Sequence, residues 1–377
     1  MASWVTRTPT IRDQLHASTA QMGWILFGLS SGSMIGLLSA NTLIRWFGTN
    51  RVATGGVGLL VAGVTVIGLG TIAGAGPVVS AGLFLFGFGM GSSEIAINIE
   101  GADVEATLNR PVLAALHGCF SAGTLVGALI GIALTGGDFP VHWHLWLIGL
   151  VAAPAVWFAS KGVTEATGQD RARNAEEAAT AQVQQRQSLW TDSRLLMIGV
   201  MIMAMALAEG AANDWLPLLM VDGHGFAPTS GSMIYAGFAA GMTAGRFAGS
   251  YFIAHLGRGV VVFASAVSCA IGLALAIFAS APWLAAVSVL FWGMGASLGF
   301  PVAISAAGSS GPDSGRRVSL VATAGYFSFL VGPPLLGFIG DHYGLRSALI
   351  VVLALVVIAI FMAPATRDDG RSAPSSL

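Results

Sequence analysis

The stretch Gly28–Arg51, GLSSGSMIGLLSANTLIRWFGTNR, returns in recognisable form as Gly237–Arg258, GFAAGMTAGRFAGSYFIAHLGR. Gly28, Gly32, Gly36 and Gly48 fall on Gly237, Gly241, Gly245 and Gly257 at one constant offset of 209. Glycines four residues apart share a helical face, so each copy reads as a helix built for close packing that ends in a glycine and a short basic turn. Gly89, Met90 and Gly91 match Gly293, Met294 and Gly295 at an offset of 204, and Phe120 and Ser121 match Phe327 and Ser328 at 207. The chain reads as an internal duplication of two related halves.

Composition says which solvent those halves occupy. Hydrophobic residues make up 55% and charged ones 9%, with a mean hydropathy of +0.77, which is far from the soluble globular norm and marks a polytopic protein of the lipid bilayer. The 51 glycines serve helix packing rather than phosphate binding. A net charge of −1 and a pI near 6.6 give no basis for nucleic-acid binding. Cys119 and Cys269 both sit in apolar runs, which excludes a disulfide framework or a metal cluster. There is no nucleotide-binding loop, nucleophile–base pair or metal-ligand spacing, so neither a cofactor nor an enzyme activity is expected.

Runs of roughly 20 apolar residues, enough to span a bilayer, occur at 19–44, 52–73, 78–102, 112–135, 142–160, 193–221, 228–254, 259–280, 282–308, 315–340 and 345–364. That is eleven spans, and the repeat says which is missing. Subtracting 209 from the span 193–221 places the first helix at −16 to 12, so a misplaced start or a lost segment is expected, with MASWVTRTPTIRDQL as the remnant. Numbering that remnant as helix 1, the N-terminal half is 1–160, a polar linker runs over 161–192, the C-terminal half is 193–364 and a tail covers 365–377. Of 17 Lys and Arg, only Arg7, Arg12 and Arg346 fall on one side of the spans. The positive-inside rule makes the other side cytoplasmic, with the linker and the C-terminus on it.

At this point the residues resemble a family. Two six-helix halves, a central linker and glycine-rich second and eighth helices ending in basic turns look like the major facilitator superfamily of secondary transporters. The turns Arg45–Arg51 and Gly249–Arg258 echo its signature between helices 2 and 3 but lack its Asp, and Gly337 to Arg346 is a third echo on the opposite side. The strings LNRPVLAALHGCFSAGTLVGA, AEGAANDWLPLLMVDGHG and LVGPPLLGFIGDHYGL are similar to a bacterial branch of transporters distantly related to fucose-permease-like carriers. The resemblance implies an all-α integral membrane fold of two pseudo-symmetric six-helix halves, with helices 1, 4, 7 and 10 lining a central cavity.

An ionisable side chain inside a bilayer is costly and is a functional candidate by default. Glu94 and Asn98 stand one turn apart on helix 4, as do Glu209 and Asn213 on helix 7, with Asp214 about 140° around from Glu209. Arg246 lies inside helix 8, and Trp292 could stack on a solute, though packing is an equal reading. Trp215 carries the same two readings as Trp292; for His117 a packing or capping role is favoured, for His142 and His144 a place in an interfacial aromatic belt, and for Tyr326 a structural role. Gly332, Pro333 and Pro334 should break or kink helix 11. The reading that follows is a monomeric inner-membrane secondary transporter of a small solute, coupled to protons through Glu94 or Glu209. The alternative is a membrane sensor or scaffold that keeps the carrier fold without transport.

Overall fold

A computed structural model describes residues 1–108, 112–161, 189–311 and 314–367, and every regular element among them is helical. Two short helices, α1 (Ala2–Val5) and α2 (Thr8–Leu15), precede α3 (Thr19–Phe47), α4 (Thr49–Ile72), α5 (Gly76–Leu108), α6 (Val112–Gly136) and α7 (Val141–Ser160). After residue 188 come α8 (Ser193–Leu218), α9 (Pro228–Leu256), α10 (Arg258–Phe278), α11 (Pro282–Ala296), α12 (Gly299–Ser309), α13 (Ser314–Tyr343) and α14 (Leu345–Met362). Nine helical stretches among the described residues are long and apolar enough to cross a membrane. The expected spans 112–135 and 228–254 are helical but fall outside those nine. The serines, glycines and Arg246 of α9 dilute its hydropathy.

Where α3, α4 and α5 meet, backbone touches backbone. Cβ atoms added at Gly32 and Gly36 would collide with the carbonyl oxygens of Phe84 and Phe88 on α5. Gly87 presses likewise on Leu29 and Ser33, Gly63 on Gly82 and Phe86, and Gly89 on Gly56 and Leu60. Side chains are absent at these positions because two helix axes this close leave no volume for them.

The same contacts recur among α9, α10 and α11. Gly241 and Gly245 meet Leu290 and Met294, Gly293 meets Phe238 and Met242, Gly272 meets Ser288 and Trp292, and Gly295 meets Ser265 and Cys269. Partners on α3 and α4 map to α9 and α10 at an offset of 209, while partners on α5 map to α11 at 206. The three-residue difference is the shorter second helix of the repeat, 21 residues in α10 against 24 in α4. This corrects the register read from the sequence. By contact, Gly87 and Gly89 correspond to Gly293 and Gly295, two residues away from the match of identical letters at 204.

Three helix junctions share one geometry. Gly48, Gly257 and Gly344 have φ of 82°, 77° and 81° with ψ near 160°, and each ends one helix while capping the next. That region is open to glycine and strained for other residues. The third echo noted in the sequence is therefore the same turn. At the first of them the hydroxyl of buried Thr49 donates to Glu100 Oε2 at 2.8 Å, so α5 supplies a carboxylate where the turn itself has none.

One helical span is interrupted before a proline and another runs on through two. The span 282–308 is interrupted at Ser297–Leu298, as Pro301 requires, because it cannot donate to the Ser297 carbonyl four residues back. Pro333 and Pro334 leave α13 unbroken over Ser314–Tyr343.

The described chain forms two compact units. One contains α1 to α7 together with Ala227–Met233 and Pro333–His342; the other contains α8, Ile234–Gly332 and the chain from Tyr343 onward. Within the first unit, Gly23 of α3 lies against Pro333 and Gly337, and the Ala20 N–H donates to Asp341 Oδ1 at 3.2 Å. Most of the linker 161–192 and of the tail 365–377 lies outside the described residues.

Gly32→Ala should destabilise the protein by roughly 1–3 kcal/mol, the usual cost of overpacking, because Phe84 meets it with backbone. Gly58→Ala, with nothing within 4 Å, should be neutral or slightly stabilising. Thermal unfolding in detergent compares the two, and equal effects would refute the packing account.

Candidate functional site

The C-terminal unit holds a polar cluster inside otherwise apolar helices. A separate polar group stands at the start of α8, about 25 Å from Glu209 by helical rise, where Asp192 caps the helix by accepting the Leu195 N–H at 3.1 Å. Asp192 Oδ2 also takes Arg317 Nη2 at 2.5 Å, and Arg317 Nη1 donates to Ser310 Oγ at 2.8 Å. Burial pushes the Asp192 carboxyl up, but the Leu195 amide and the Arg317 guanidinium outweigh it and hold the group below the usual carboxylate range.

Four turns along α8, Glu209 Oε1 accepts from Arg246 Nη2 of α9 at 3.1 Å. One turn further, Asn213 Oδ1 accepts from the Tyr235 hydroxyl at 3.1 Å. Tyr235 and Arg246 are about 16 Å apart along α9 by helical rise, whereas Glu209 and Asn213 are about 6 Å apart on α8. The pair is unevenly exposed, with the Arg246 side chain 43% and the Glu209 side chain 16% accessible. Asp214 is half-buried and, like Glu209, lies within electrostatic reach of the Tyr235 hydroxyl.

An aromatic wall backs this cluster. Tyr235 stacks with Phe238 at 6.4 Å, and Phe238 meets Trp292 edge-on at 5.7 Å. Trp292 is fully buried and its indole N–H donates to the Ala208 carbonyl at 3.1 Å, so its ring is a strut between α11 and α8. Trp215 is also buried, and its indole nitrogen has no hydrogen-bond partner among the described residues.

The other candidates are placed differently. Glu94 is exposed and Asn98 half-buried on α5, in the first unit, while Glu209, Asn213, Asp214, Arg246 and Trp292 belong to the second. The side chain of His117 lies outside the described residues. His142 joins an aromatic group with Trp143 and Trp146, but His144, two residues on, turns inward and is 1% exposed. Its expected place in an interfacial belt is thus replaced by a buried contact with Arg7. Tyr326 packs on Phe300. Among the described residues no three His, Cys, Asp or Glu are grouped to hold a metal.

Tyr235 and Arg7 were not singled out as site residues from sequence. A signal existed for Tyr235, as one of four tyrosines in the chain and one of two, with Tyr251, inside the span 228–254. None existed for Arg7, whose partner lies 137 residues away.

Comparison with known proteins gives this geometry a family context. The sequence profile of the Major Facilitator Superfamily matches residues 1–314 and 215–376. An uncharacterized MFS-type transporter of Yersinia pestis is 28% identical over 97% of this chain and 92% of its own length. Membrane protein MosC of Rhizobium meliloti is 25% identical over 95% of this chain and 84% of its own. Among solved structures, the nucleoside transporter NupG aligns with a TM-score of 0.72 at 13% identity, covering 97% of this chain and 95% of that one. A D-xylose–proton symporter aligns with a TM-score of 0.74 at 13% identity over 96% and 94%. The fucose:proton symporter FucP aligns at 0.61 and 14% over 97% and 96%. At such identities these three speak for the fold.

Two outcomes follow for these groups. A carboxylate held low contributes stability that is present above its unfolded value, about 3.9, and is lost as pH falls through its folded value. Acid unfolding should therefore lose an increment at low pH that Asp192→Asn has already lost at neutral pH, and identical acid profiles would contradict the lock. For the Glu209–Arg246 pair, Glu209→Gln and Arg246→Gln should each destabilise, and the double variant should fall short of their sum by about 1 kcal/mol. Simple additivity in thermal unfolding would show the pair to be energetically idle.

Proposed function

The chain belongs to the Major Facilitator Superfamily, and from that membership we propose that it is a secondary transporter moving a small polar solute across the bacterial inner membrane. The halves 1–160 and 193–364 rock about a midplane site and expose it alternately to each side. Protons drive the cycle. The observation that carries this reading is the ladder Glu209–Arg246 and Asn213–Tyr235, an acid, a base, an amide and a phenol aligned within apolar helices. Intramembrane groups of this kind are expensive and persist where a pathway uses them.

Arg246 has two competitors for its guanidinium, the Glu209 carboxylate and a solute oxygen. A proton on Glu209 weakens the first and favours the second. This links solute binding to protonation without any further component. Asn213 and Asp214 offer hydrogen bonds of both senses, suited to hydroxyl-rich or heterocyclic solutes, and Glu94 with Asn98 supplies a second polar face. The arginine asymmetry of the loops supports a cytoplasmic C-terminus, and the carrier works as a monomer. The related folds that carry nucleosides, fucose and D-xylose define the first solutes to try.

Reconstituted protein should catalyse counterflow of at least one solute from a panel of labelled nucleosides, sugars and small carboxylates. An inward proton gradient should concentrate that solute. Glu209→Gln should keep counterflow while reducing gradient-driven accumulation by roughly tenfold or more, the scale of losing a coupling of about 1.4 kcal/mol. Absence of counterflow across the whole panel would overturn the transporter reading. Undiminished accumulation by the variant would remove Glu209 from the coupling.

A further inference from the structure

The turn between α1 and α2 contains a buried cation with an unusual partner. Arg7 and His144 are each 1% exposed, and Arg7 Nε donates to His144 Nδ1 at 3.0 Å. An imidazole nitrogen that accepts carries a lone pair, so the ring in this arrangement is neutral with its proton on Nε2. Arg7 Nη2 and His144 Nε2 are both buried without partners. Among the described residues no carboxylate is recorded in an ion pair with Arg7, so the guanidinium relies on this one bond to a titratable ring. A buried arginine held only by a neutral acceptor is costly.

The same turn bears on a second contact. The Thr6 carbonyl, one residue before Arg7, accepts from Ser232 Oγ at 2.8 Å, and Ser232 is fully buried. Thr6 is pressed from the other side by Gly131 of α6, where a Cβ would collide with its side chain. Ser232 stands in the first turns of α9, the helix that further along carries Tyr235 and Arg246.

We propose that His144 is a proton-binding site whose protonation releases this turn. A proton taken from solution at Nδ1 removes the lone pair that Arg7 uses and sets an imidazolium against the guanidinium. The Arg7–His144 bond is lost, and the Thr6–Ser232 bond, held by the same turn, loosens with it. Other charges do not offset this. On α7 itself His142 faces Trp146, and α4, which packs on α7, carries only Arg51, at its far end. On α2, Arg12 and Asp13 pair with each other at 2.8 Å, and Asp138 lies in the connection before α7. In α6 the described side chains include one ionisable group, Cys119, which is exposed and twelve residues before Gly131, and α1 adds the buried amino group of Met1, a cation that opposes rather than offsets the imidazolium. The site deepens the proton-coupled reading by placing a proton outside the carboxylate cluster, and its test needs no solute, so either can fail alone.

The full-length protein in detergent would be unfolded thermally at a series of pH values between about 8 and 5, the window that brackets an ordinary histidine. Wild type should lose stability in a step as pH falls. His144→Gln, whose amide oxygen accepts from Arg7 without titrating, should show a smaller step, the buried Met1 amino group keeping its own share, and Arg7→Gln should reduce it only in part, because burial still opposes an imidazolium there. Hydrogen exchange on the wild type alone gives a second readout that no variant can spoil. Segments 2–15 and 227–233 should lose protection together on acidification, roughly tenfold after correction for intrinsic rates, while segment 40–56 keeps it. An undiminished step in His144→Gln, or protection unchanged in those two segments, would overturn the proposal.

Discussion

Within a bilayer the helices of this protein have no hydrophobic force to gather them, since lipid is as apolar as their side chains. What gathers them is bare backbone meeting bare backbone. At Gly32, Gly36, Gly63, Gly87 and Gly89, and again at Gly241, Gly245, Gly272, Gly293 and Gly295, one helix lies so close to its neighbour that a methyl group would not fit. Dispersion contacts along such seams are short-ranged, which makes the seams intolerant of substitution and rigid as blocks. The polar cluster depends on that rigidity. Tyr235 and Arg246 reach Asn213 and Glu209 only because α9 and α11 are locked together and Trp292 braces α11 against α8.

The few charged pairs do different work. Arg317, itself buried, and Asp192 fasten the start of α8, and their pairing resists ordinary pH. Glu209 and Arg246 meet further along α8 through an oxygen–nitrogen contact that leaves the guanidinium partly exposed. A contact of that kind can be exchanged for a solute without leaving either partner wholly unsatisfied, provided a proton compensates the acid. Arg7 and His144 form a third kind of pair, in which the acceptor rather than the cation titrates.

Much of the helical architecture was legible because the seams are written in glycine spacing. The offset of 209 between α3–α4 and α9–α10 holds at every contact, from Gly32 and Gly241 through Gly48 and Gly257 to Gly63 and Gly272. The offset for α5 was misread because the letters Gly-Met-Gly recur by coincidence, whereas contact pairs Gly87, Phe88 and Gly89 with Gly293, Met294 and Gly295. A glycine is fixed by its neighbour, and the residue between two glycines is free to change. The break at Ser297 was signalled by Pro301 yet hidden in a long apolar run, while Pro333 and Pro334 sit in a helix that stays continuous. Glu209 and Arg246 could each be named from the cost of burying charge, but their pairing requires knowing how far an arginine reaches across a helix seam. Arg7 and His144 had no such signal, since the bond between them joins segments 137 residues apart.

Carrier function requires that the two ends of the bundle open in alternation. Spin-label pairs placed at exposed Phe47 and Leu256, and separately at exposed Ala73 and Ser280, would report one end each by pulsed dipolar distance measurement. The account predicts two distance populations for each pair, with any change of pH that widens one pair narrowing the other. A single unchanging distance for both pairs across that range would contradict it and leave a rigid membrane scaffold.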